Sequence, residues 1–190
     1  MEHQVSREMR ISWVILVFIL QLTTLPLQSW ICAASTKAER TLAMIKPDGV
    51  VNKYADTIKK IIMESGFDIV REMMVQLDES NATIFYTEHS HKSFFPDLVK
   101  YMTSGPVYVM VLEKVNAISE WRNLIGPTDA RKARISHPSS IRAMCGVDLQ
   151  RNCVHGSDTH ESAIREIIFF FGDLLAGLGD MEEDWDWFGV

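Results

Sequence analysis

The chain has 190 residues, of which 47% are hydrophobic and 23% charged, a balance that predicts one globular domain with a full core and additional tails. The net charge of -6 excludes a broad basic face of the kind that holds duplex nucleic acid by its phosphates. Three cysteines are too few for the disulfide framework of a small secreted domain.

The first segment of the chain is laid out like a signal peptide. Two arginines precede an unbroken apolar run from residue 11 to residue 20, and small residues follow it. The run is shorter than the ~20 residues of a membrane span, although extending it through Leu27 approaches that length. We therefore expect residues 1–34 to be a signal peptide cleaved after Ala34, which places the protein in the secretory pathway or outside the cell. The alternatives are an uncleaved membrane anchor and, third, a cytoplasmic protein without export.

Strands and helices alternate in the expected secondary structure of the domain, which we place at residues 35–179. The expected strands cover residues 41–45, 67–77, 107–112 and 153–154, and the expected helices lie around 58–62, at 80–88, 93–103 and 117–124, and after residue 158. Lys46 to Gly49 is a turn signal, and residues 128–140 form a long, basic, loop-like stretch. This order predicts an α/β (α+β) fold of the split βαβ type, with helices covering one face of a four-stranded, mainly antiparallel sheet. Residues 180–190 form an acidic, aromatic tail.

A histidine stands just ahead of the best-marked helix. Asp158 is placed to cap that helix, Glu161 falls in the capping-box position, and apolar residues then recur at helical spacing through Phe171. His155 therefore lies near a helix N-terminus, whose partial positive charge favours neutral imidazole and attracts phosphate. Neutral imidazole can attack an electrophile, but a single such histidine is more often a turn or packing residue. A catalytic interpretation therefore needs partner residues.

Candidate partners for reaction at phosphorus are present elsewhere in the chain. Glu166, eleven residues after His155, can accept a hydrogen bond from one ring nitrogen and leave the other free to attack. Positive groups for the phosphate oxygens are available at Lys46, Arg122 and Arg142, although any one of them alone is more often a solvated surface charge. Glu161 and Arg165, spaced i and i+4, are expected to pair on the helix surface.

The remaining cysteines and histidines indicate no metal site. A bridge between Cys145 and Cys153 would close a short loop, and we expect instead two reduced, partly buried thiols. His89 and His91 lie two residues apart on a polar stretch and are interpreted as surface residues rather than metal ligands.

Three separated stretches carry a family resemblance. Residues 40–50 (RTLAMIKPDGV), 98–106 (LVKYMTSGP) and 151–158 (RNCVHGSD) together resemble the nucleoside diphosphate kinase family, in the family's order. The resemblance runs from about Glu39 to about Phe171. It implies a ferredoxin-like domain and a ping-pong reaction in which a nucleoside triphosphate phosphorylates a histidine and a diphosphate then takes the phosphoryl group.

By this resemblance His155 matches the nucleophile and Glu166 the residue that orients its ring. Residues matching those around ribose and phosphates are Lys46, Tyr86, Arg122, Thr128, Arg142 and Asn152. Phe94 matches the aromatic on which the base stacks, which accepts any base, and Ser157 falls beside the nucleophile. The expected partners are nucleoside triphosphates and diphosphates. The expected cofactor is Mg²⁺ on the nucleotide phosphates, with no protein-held metal cage.

The segment from Thr128 to Arg142 departs from the usual family pattern, because it is longer and richer in Arg and Lys. Since this segment helps build subunit contacts in the family, a homo-oligomer is compatible with the sequence but a hexamer is not assumed. The alternative function is a weakly active or inactive member that serves as a nucleotide-binding interaction or signalling module. A third hypothesis, a ferredoxin-like RNA-binding domain, predicts strand aromatics and a basic face that the sequence does not show.

Overall fold

The computed structural model of this protein describes residues 38–176, with side chains described through residue 172. The predicted signal-like segment at residues 1–34 and the predicted tail at residues 180–190 lie outside the described residues. Within the described part of the chain, no helix is long and apolar enough to cross a membrane.

Four strands form one sheet. They are β1 (Glu39–Ile45), β2 (Asp68–Val75), β3 (Val107–Lys114) and β4 (Val154–Gly156). The spatial order is β2-β3-β1-β4, and each neighbouring pair is antiparallel. Helices connect β1 to β2 and β3 to β4. The predicted ferredoxin-like split βαβ arrangement is therefore confirmed.

Helices fill the connections between the strands and follow the last one. They are α1 (Pro47–Val51), α2 (Ala55–Glu64), α3 (Glu79–Phe85), α4 (Phe95–Met102), α5 (Ala117–Ile125), α6 (Ala130–Ser136), α7 (Ile141–Cys145) and α8 (His160–Ala176), with a 3₁₀ turn at Thr87–His89. The sequence-based turn at residues 46–49 is wrong in one respect, because Pro47 begins α1. Proline suits this first helical position, where its missing N–H has no partner to lose.

Both faces of the sheet are buried, so the expectation of helices on one face is wrong. Side chains alternate along β1, because successive residues of a strand point to opposite faces. Leu42 and Met44 pack with residues of α3, α4 and α8. Ala43 and Ile45 pack with residues of α2, α5 and α7 on the other side. Two hydrophobic clusters thus hold the central strands rigidly, with Lys46 directly after β1 and β4 paired to its last residues.

The basic stretch expected to be a loop at residues 128–140 is largely helical. Helix α6 begins after Asp129, whose carboxylate accepts a hydrogen bond from the backbone N–H of Arg131. Helix α7 begins after Ser140, whose hydroxyl accepts from the backbone N–H of Ala143. These side chains satisfy N–H groups that a helix end leaves without partners. The two short helices give the stretch a defined shape beside the site.

The last helix, α8, begins at His160, one residue later than a cap at Asp158 predicted. Thr159 Oγ1 accepts from the N–H of Ser162 at 3.2 Å, and Ser162 Oγ accepts in return from the N–H of Thr159 at 2.9 Å. This is a reciprocal capping box with serine in place of glutamate. Asp158 therefore does not cap the helix, and its carboxylate pairs with Arg122 instead.

The predicted surface pair between Glu161 and Arg165 is also wrong. The Arg165 guanidinium contacts Glu88 on the 3₁₀ turn and lies 3.8 Å from Glu166 Oε1. Arg165 therefore joins the start of α8 to the segment that follows α3.

Candidate active site

His155 lies on β4, directly opposite Met44 of β1. Its backbone carbonyl accepts a hydrogen bond from Trp121 Nε1 at 3.2 Å. Its half-buried ring meets the ring of Phe85 edge to face at a centroid distance of 5.5 Å and that of Tyr86 at 6.3 Å. The sheet therefore fixes the backbone of this residue, and aromatic rings enclose one side of its imidazole.

A short chain of hydrogen bonds orients the imidazole. His155 Nε2 lies 2.8 Å from Glu166 Oε2, and Ser157 Oγ donates to the same oxygen at 2.8 Å. The N–H of Leu42 in turn donates to Ser157 Oγ at 3.2 Å. An ionised carboxylate only accepts hydrogen bonds, so it selects the tautomer with the proton on Nε2. The lone pair of Nδ1 is then available for attack.

The buried carboxylate of Glu166 is held in its ionised form. Burial acts to raise its pKa, but attraction to His155, hydrogen bonds from His155 and Ser157, and the Arg165 charge outweigh that effect. The net result is a pKa below the ordinary value of 4.5. Glu166 is therefore a hydrogen-bond acceptor throughout the neutral pH range.

Lys46 and Asn152 form a second linked pair at the end of β1. Lys46 Nζ donates to Asn152 Oδ1 at 2.8 Å, and Asn152 Nδ2 donates to the carbonyls of Thr128 at 2.9 Å and Leu149 at 3.1 Å. Burial, followed by repulsion from Arg142, lowers the pKa of Lys46 to about 7, although Asp48 opposes the shift. A bound anion would offset both causes, which makes this amine a fitting partner for a phosphorylated ligand.

Two arginines bring positive charge to the same region. Arg142 is buried and donates to the carbonyls of Gly126 at 2.7 Å and Val154 at 3.1 Å, while its Nε is a buried donor without a partner. Burial, followed by repulsion from Arg122, lowers the pKa of Arg142 to about 10. Mutually repelling guanidinium groups with an unsatisfied donor fit a site for phosphate oxygens.

Aromatic residues form the remaining side of the candidate site. Tyr86 is buried, its hydroxyl contacts Met102 Sδ at 3.6 Å, and burial raises its pKa, with Glu166 adding to the effect. Phe94, just before α4, keeps 46% of its surface exposed. A large apolar ring left in water is available for a planar base to stack on.

His89 is a site neighbour that the sequence interpretation treated only as a surface residue. Its ring stacks on Tyr86 at 6.3 Å and is tilted against Phe94 at 5.9 Å. The signal available in the sequence was its spacing of three residues from Tyr86, about one helical turn, which the 3₁₀ turn makes a contact. His89 therefore bridges two residues that were predicted separately.

Asp48 is a second residue that the sequence interpretation did not single out. One carboxylate oxygen accepts from the hydroxyl of Tyr101 at 2.5 Å, and the other accepts from the N–H of Cys153 at 3.1 Å. Tyr101 and Cys153 belong to the other two stretches that carried the resemblance. Asp48, itself in the first stretch, thus links the three stretches by hydrogen bonds.

The expectation of two reduced thiols is wrong, because Cys145 and Cys153 form a disulfide. Their Cα atoms lie 5.7 Å apart, within the range that a disulfide requires. The end of α7 and the residue before β4 lie side by side, an approach that comes from tertiary packing. Sequence spacing alone did not reveal it.

The predicted site residues fall into three groups, two of which are joined by hydrogen bonds. His155, Glu166 and Ser157 are joined by hydrogen bonds, as are Lys46, Asn152 and the backbone of Thr128. The third group is formed by Arg122 and Arg142, whose charges repel, while Tyr86 contacts the histidine and Phe94 contacts His89. Within residues 38–176, no three His, Cys, Asp or Glu side chains cluster so as to hold a metal ion.

Comparison with known proteins identifies one family. The family model described as nucleoside diphosphate kinase matches residues 39–174. The Arabidopsis thaliana protein named "Probable nucleoside diphosphate kinase 5" is 66% identical over 134 residues, which cover 70% of this chain and 93% of that protein. The human protein named "Nucleoside diphosphate kinase homolog 5" is 44% identical over 137 residues, which cover 72% of this chain and 64% of the human one.

Solved structures show the same fold. The Aquifex aeolicus nucleoside diphosphate kinase superposes with a TM-score of 0.71 at 42% identity, covering 72% of this chain and 97% of that one. The Halobacterium salinarum enzyme, solved in complex with CDP, superposes with a TM-score of 0.66 at 40% identity, covering 70% of this chain and 87% of that one. The chain therefore belongs to the nucleoside diphosphate kinase family.

Proposed function

We propose that this protein is a nucleoside diphosphate kinase that transfers the terminal phosphoryl group of a nucleoside triphosphate to a nucleoside diphosphate through phosphorylated His155. Membership of the family supports a nucleotide-binding phosphotransferase. The observation that carries the proposal is the hydrogen-bonded chain from Ser157 through Glu166 to His155 Nε2. It holds the imidazole in the tautomer that a nucleophile at Nδ1 requires.

Each half of the reaction exchanges one bond for another at phosphorus. The lone pair of Nδ1 forms a bond to the γ-phosphorus, the bond to the bridging oxygen breaks, and the diphosphate leaves with that electron pair. In the second half, a terminal oxygen of another diphosphate attacks the phosphohistidine and Nδ1 leaves. Glu166 balances the positive charge that the ring acquires in the first step.

Positive and polar side chains around the nucleophile fit the nucleotide. Arg122 and Arg142 are proposed to contact phosphate oxygens, with Thr128 and Tyr86 beside them, and Lys46 and Asn152 to bind ribose hydroxyls and the adjoining phosphate. Mg²⁺ would be part of the substrate, bound to the nucleotide phosphates, where it would offset their charge. The exposed ring of Phe94 is proposed to stack on the base, which predicts broad base tolerance.

A second candidate is a weakly active member that serves as a nucleotide-binding module. One observation favours it: the predicted phosphate ligand Arg122 is paired with Asp158, so that nucleotide binding must compete with an existing contact. Phosphohistidine formation distinguishes the two candidates.

The test uses the full chain, a radiolabelled γ-phosphate nucleoside triphosphate and Mg²⁺. We expect an acid-labile, base-stable label on the protein that is chased off by a nucleoside diphosphate. His155→Ala should remove the label. His137→Ala, at an exposed histidine that contacts Ser136, should retain it. The absence of an acid-labile label, or equal labelling of His155→Ala, would refute the proposed kinase activity. The nucleotide-binding module would then be the better candidate.

We also propose that residues 1–34 are a signal peptide, on the grounds of their charge and hydropathy pattern alone. N-terminal sequencing of protein from its native cell should begin at residue 35. A sequence that begins at Met1 would contradict this proposal and favour either an uncleaved membrane anchor or a protein that is not exported.

A further inference from the structure

We propose that the Cys145–Cys153 disulfide is a redox site, and that its reduction by a dithiol weakens nucleotide binding. The inference rests on the proposed function for the identity of the ligand. Neither cysteine has a role in the phosphoryl transfer described above, yet both lie next to residues that do.

The disulfide joins two elements that carry phosphate-site residues. Cys145 is the last residue of α7, three residues after Arg142. Cys153 follows Asn152 directly and lies two residues before His155. The covalent link therefore fixes the spacing between the arginine helix and the strand of the nucleophile.

Cys153 is also the point where the nucleophile strand meets the end of β1. Its N–H donates to the Asp48 carboxylate at 3.1 Å, and its carbonyl accepts from the N–H of Lys46 at 2.8 Å. Its φ of +72° lies in the left-handed region, which a residue with a Cβ seldom adopts. Surrounding contacts must maintain this conformation, and the disulfide is one of them.

Reduction must move one of the two sulfurs, because non-bonded sulfur atoms cannot remain at covalent distance. Cys153 Sγ packs closely against Gly49: even a single methyl group added to that glycine would lie only 2.9 Å from the sulfur. The Cys153 sulfur therefore has little room to move in that direction. The movement therefore falls on Cys145 and the end of α7. Arg142, one helical turn away, moves with it.

Other contacts limit the change to this region. Arg134 donates to the carbonyls of Gly146 at 2.7 Å and Val147 at 3.1 Å. Asn152 keeps its hydrogen bond to the carbonyl of Leu149. The protein is thus expected to remain folded after reduction, with a displaced arginine and weaker phosphate contacts.

The chemistry is a thiol–disulfide exchange. A thiolate of the dithiol attacks Cys145 Sγ, since Cys145 is 8% exposed and Cys153 fully buried. A mixed disulfide forms, and the Cys153 sulfur leaves and takes a proton. The second thiol of the reagent then attacks the mixed disulfide, which releases Cys145 as a thiol. The protein gains two electrons and two protons, and the dithiol becomes a cyclic disulfide.

The experiment compares the full-length protein before and after incubation with dithiothreitol. Alkylation and mass spectrometry count free thiols, and calorimetric titration with ADP and Mg²⁺ measures the dissociation constant. We expect this constant to rise about fivefold or more on reduction. Cys32→Ser, which leaves the pair intact, should show the same response. Cys145→Ser/Cys153→Ser should bind as weakly as the reduced protein and not respond to dithiothreitol.

Three results would overturn the inference. Two free thiols at residues 145 and 153 in protein prepared without reductant and then oxidised would exclude the bond. A dissociation constant for ADP that differs by less than about twofold between reduced and oxidised protein would show that the disulfide only stabilises the structure. Loss of the circular dichroism spectrum on reduction would show global unfolding.

The titration requires no turnover, so the two proposals fail separately. Redox-dependent ADP binding without phosphohistidine formation would refute the proposed function alone. Phosphohistidine formation with redox-independent binding would refute the redox site alone. No ADP binding in either redox state would overturn both.

Discussion

Residues 152–166, the nucleophile segment, and residues 126–151, the loop segment, hold their functional groups in different ways. The nucleophile segment pairs with β1 through backbone hydrogen bonds. Within it, the side chains of His155 and Ser157 form hydrogen bonds to the buried carboxylate of Glu166. The loop segment consists of two short helices, and Arg142 reaches backbone carbonyls through its side chain. The nucleophile and the phosphate-binding arginine are therefore positioned by separate sets of contacts. Substitutions in the nucleophile segment should mainly change kcat, and substitutions in the loop segment should mainly change nucleotide affinity.

The largest effect is expected from Glu166→Gln in the nucleophile segment. An amide no longer selects the tautomer with the proton on Nε2, so kcat should fall roughly 100-fold while KM stays nearly constant. Steady-state kinetics with ATP and a nucleoside diphosphate measure both quantities. Glu161→Gln, on the exposed first turn of the same helix, is the matched control and should retain wild-type kcat. Equal kcat values in the two variants would show that Glu166 does not orient His155.

The second prediction concerns the packing that fixes the nucleophile strand. A Cβ on Gly156 would lie 2.4 Å from the ring of Trp121, so Gly156→Ala should lower the free energy of unfolding by about 1–3 kcal/mol. Urea denaturation measures the change. Gly172→Ala is the control, because among the described side chains its methyl group would meet Ile168 at 3.5 Å, an ordinary contact distance. An unchanged stability for Gly156→Ala would mean that Trp121 can shift without cost.

The third prediction tests the electrostatics of Lys46 beside the loop segment. With a pKa of about 7 in the ligand-free protein, Lys46 is mostly neutral at pH 8, and nucleotide binding should restore its proton. Binding should therefore take up about one proton, and affinity should weaken up to about tenfold per pH unit above 7. Calorimetry in buffers of different ionisation enthalpy measures the uptake. Lys46→Met should show none, and equal uptake by this variant would assign the proton elsewhere.

The same lowered pKa has a consequence for folding. The unfolded chain holds the Lys46 proton up to its ordinary pKa of 10.5, whereas the folded protein releases it near 7. Between these values the unfolded state binds more protons, so this residue makes stability rise with pH. Chemical denaturation of the wild type and Lys46→Met at several pH values isolates this contribution.

The smallest effect is expected from Asp158→Asn, at the contact between the nucleophile segment and α5, the helix just before the loop segment. The ion pair of Asp158 with Arg122 is exposed, with 73% and 41% of the side chains accessible, so its loss should change stability by less than about 0.5 kcal/mol. Nucleotide affinity should stay the same or improve, because Arg122 is freed for phosphate. Arg122→Gln should instead weaken affinity. A large loss of stability in Asp158→Asn would show that the pair holds the nucleophile segment against α5.

The nucleophile segment was the more predictable of the two because its signals are local. The apolar spacing of α8 placed Glu166 on the correct helix, whereas His155, expected between a strand at residues 153–154 and that helix, lies within β4. The cap was misplaced by one residue, since both Asp158 and Thr159 are good capping residues. The helix used Thr159 because Ser162 could return a hydrogen bond.

The loop segment was predicted poorly because its order depends on tertiary contacts. Helices α6 and α7 have seven and five residues, too short for periodicity to identify them, and isolated helices of that length are unstable. Arg134 stabilises the segment by binding carbonyls twelve and thirteen residues away. The disulfide likewise required the end of α7 to meet β4. The second buried face of the sheet was missed because short apolar strands do not show how many faces they bury.

Trp121 gives the nucleophile an optical reporter. Its fully buried indole donates a hydrogen bond to the carbonyl of His155 and meets the ring of Phe67 edge to face. The other four tryptophans of the chain lie outside residues 38–176. Replacing those four would leave a single fluorophore bonded to the backbone of the residue that is proposed to carry the phosphoryl group. The emission of that indole would then report the charge state of the active site during each half of the reaction.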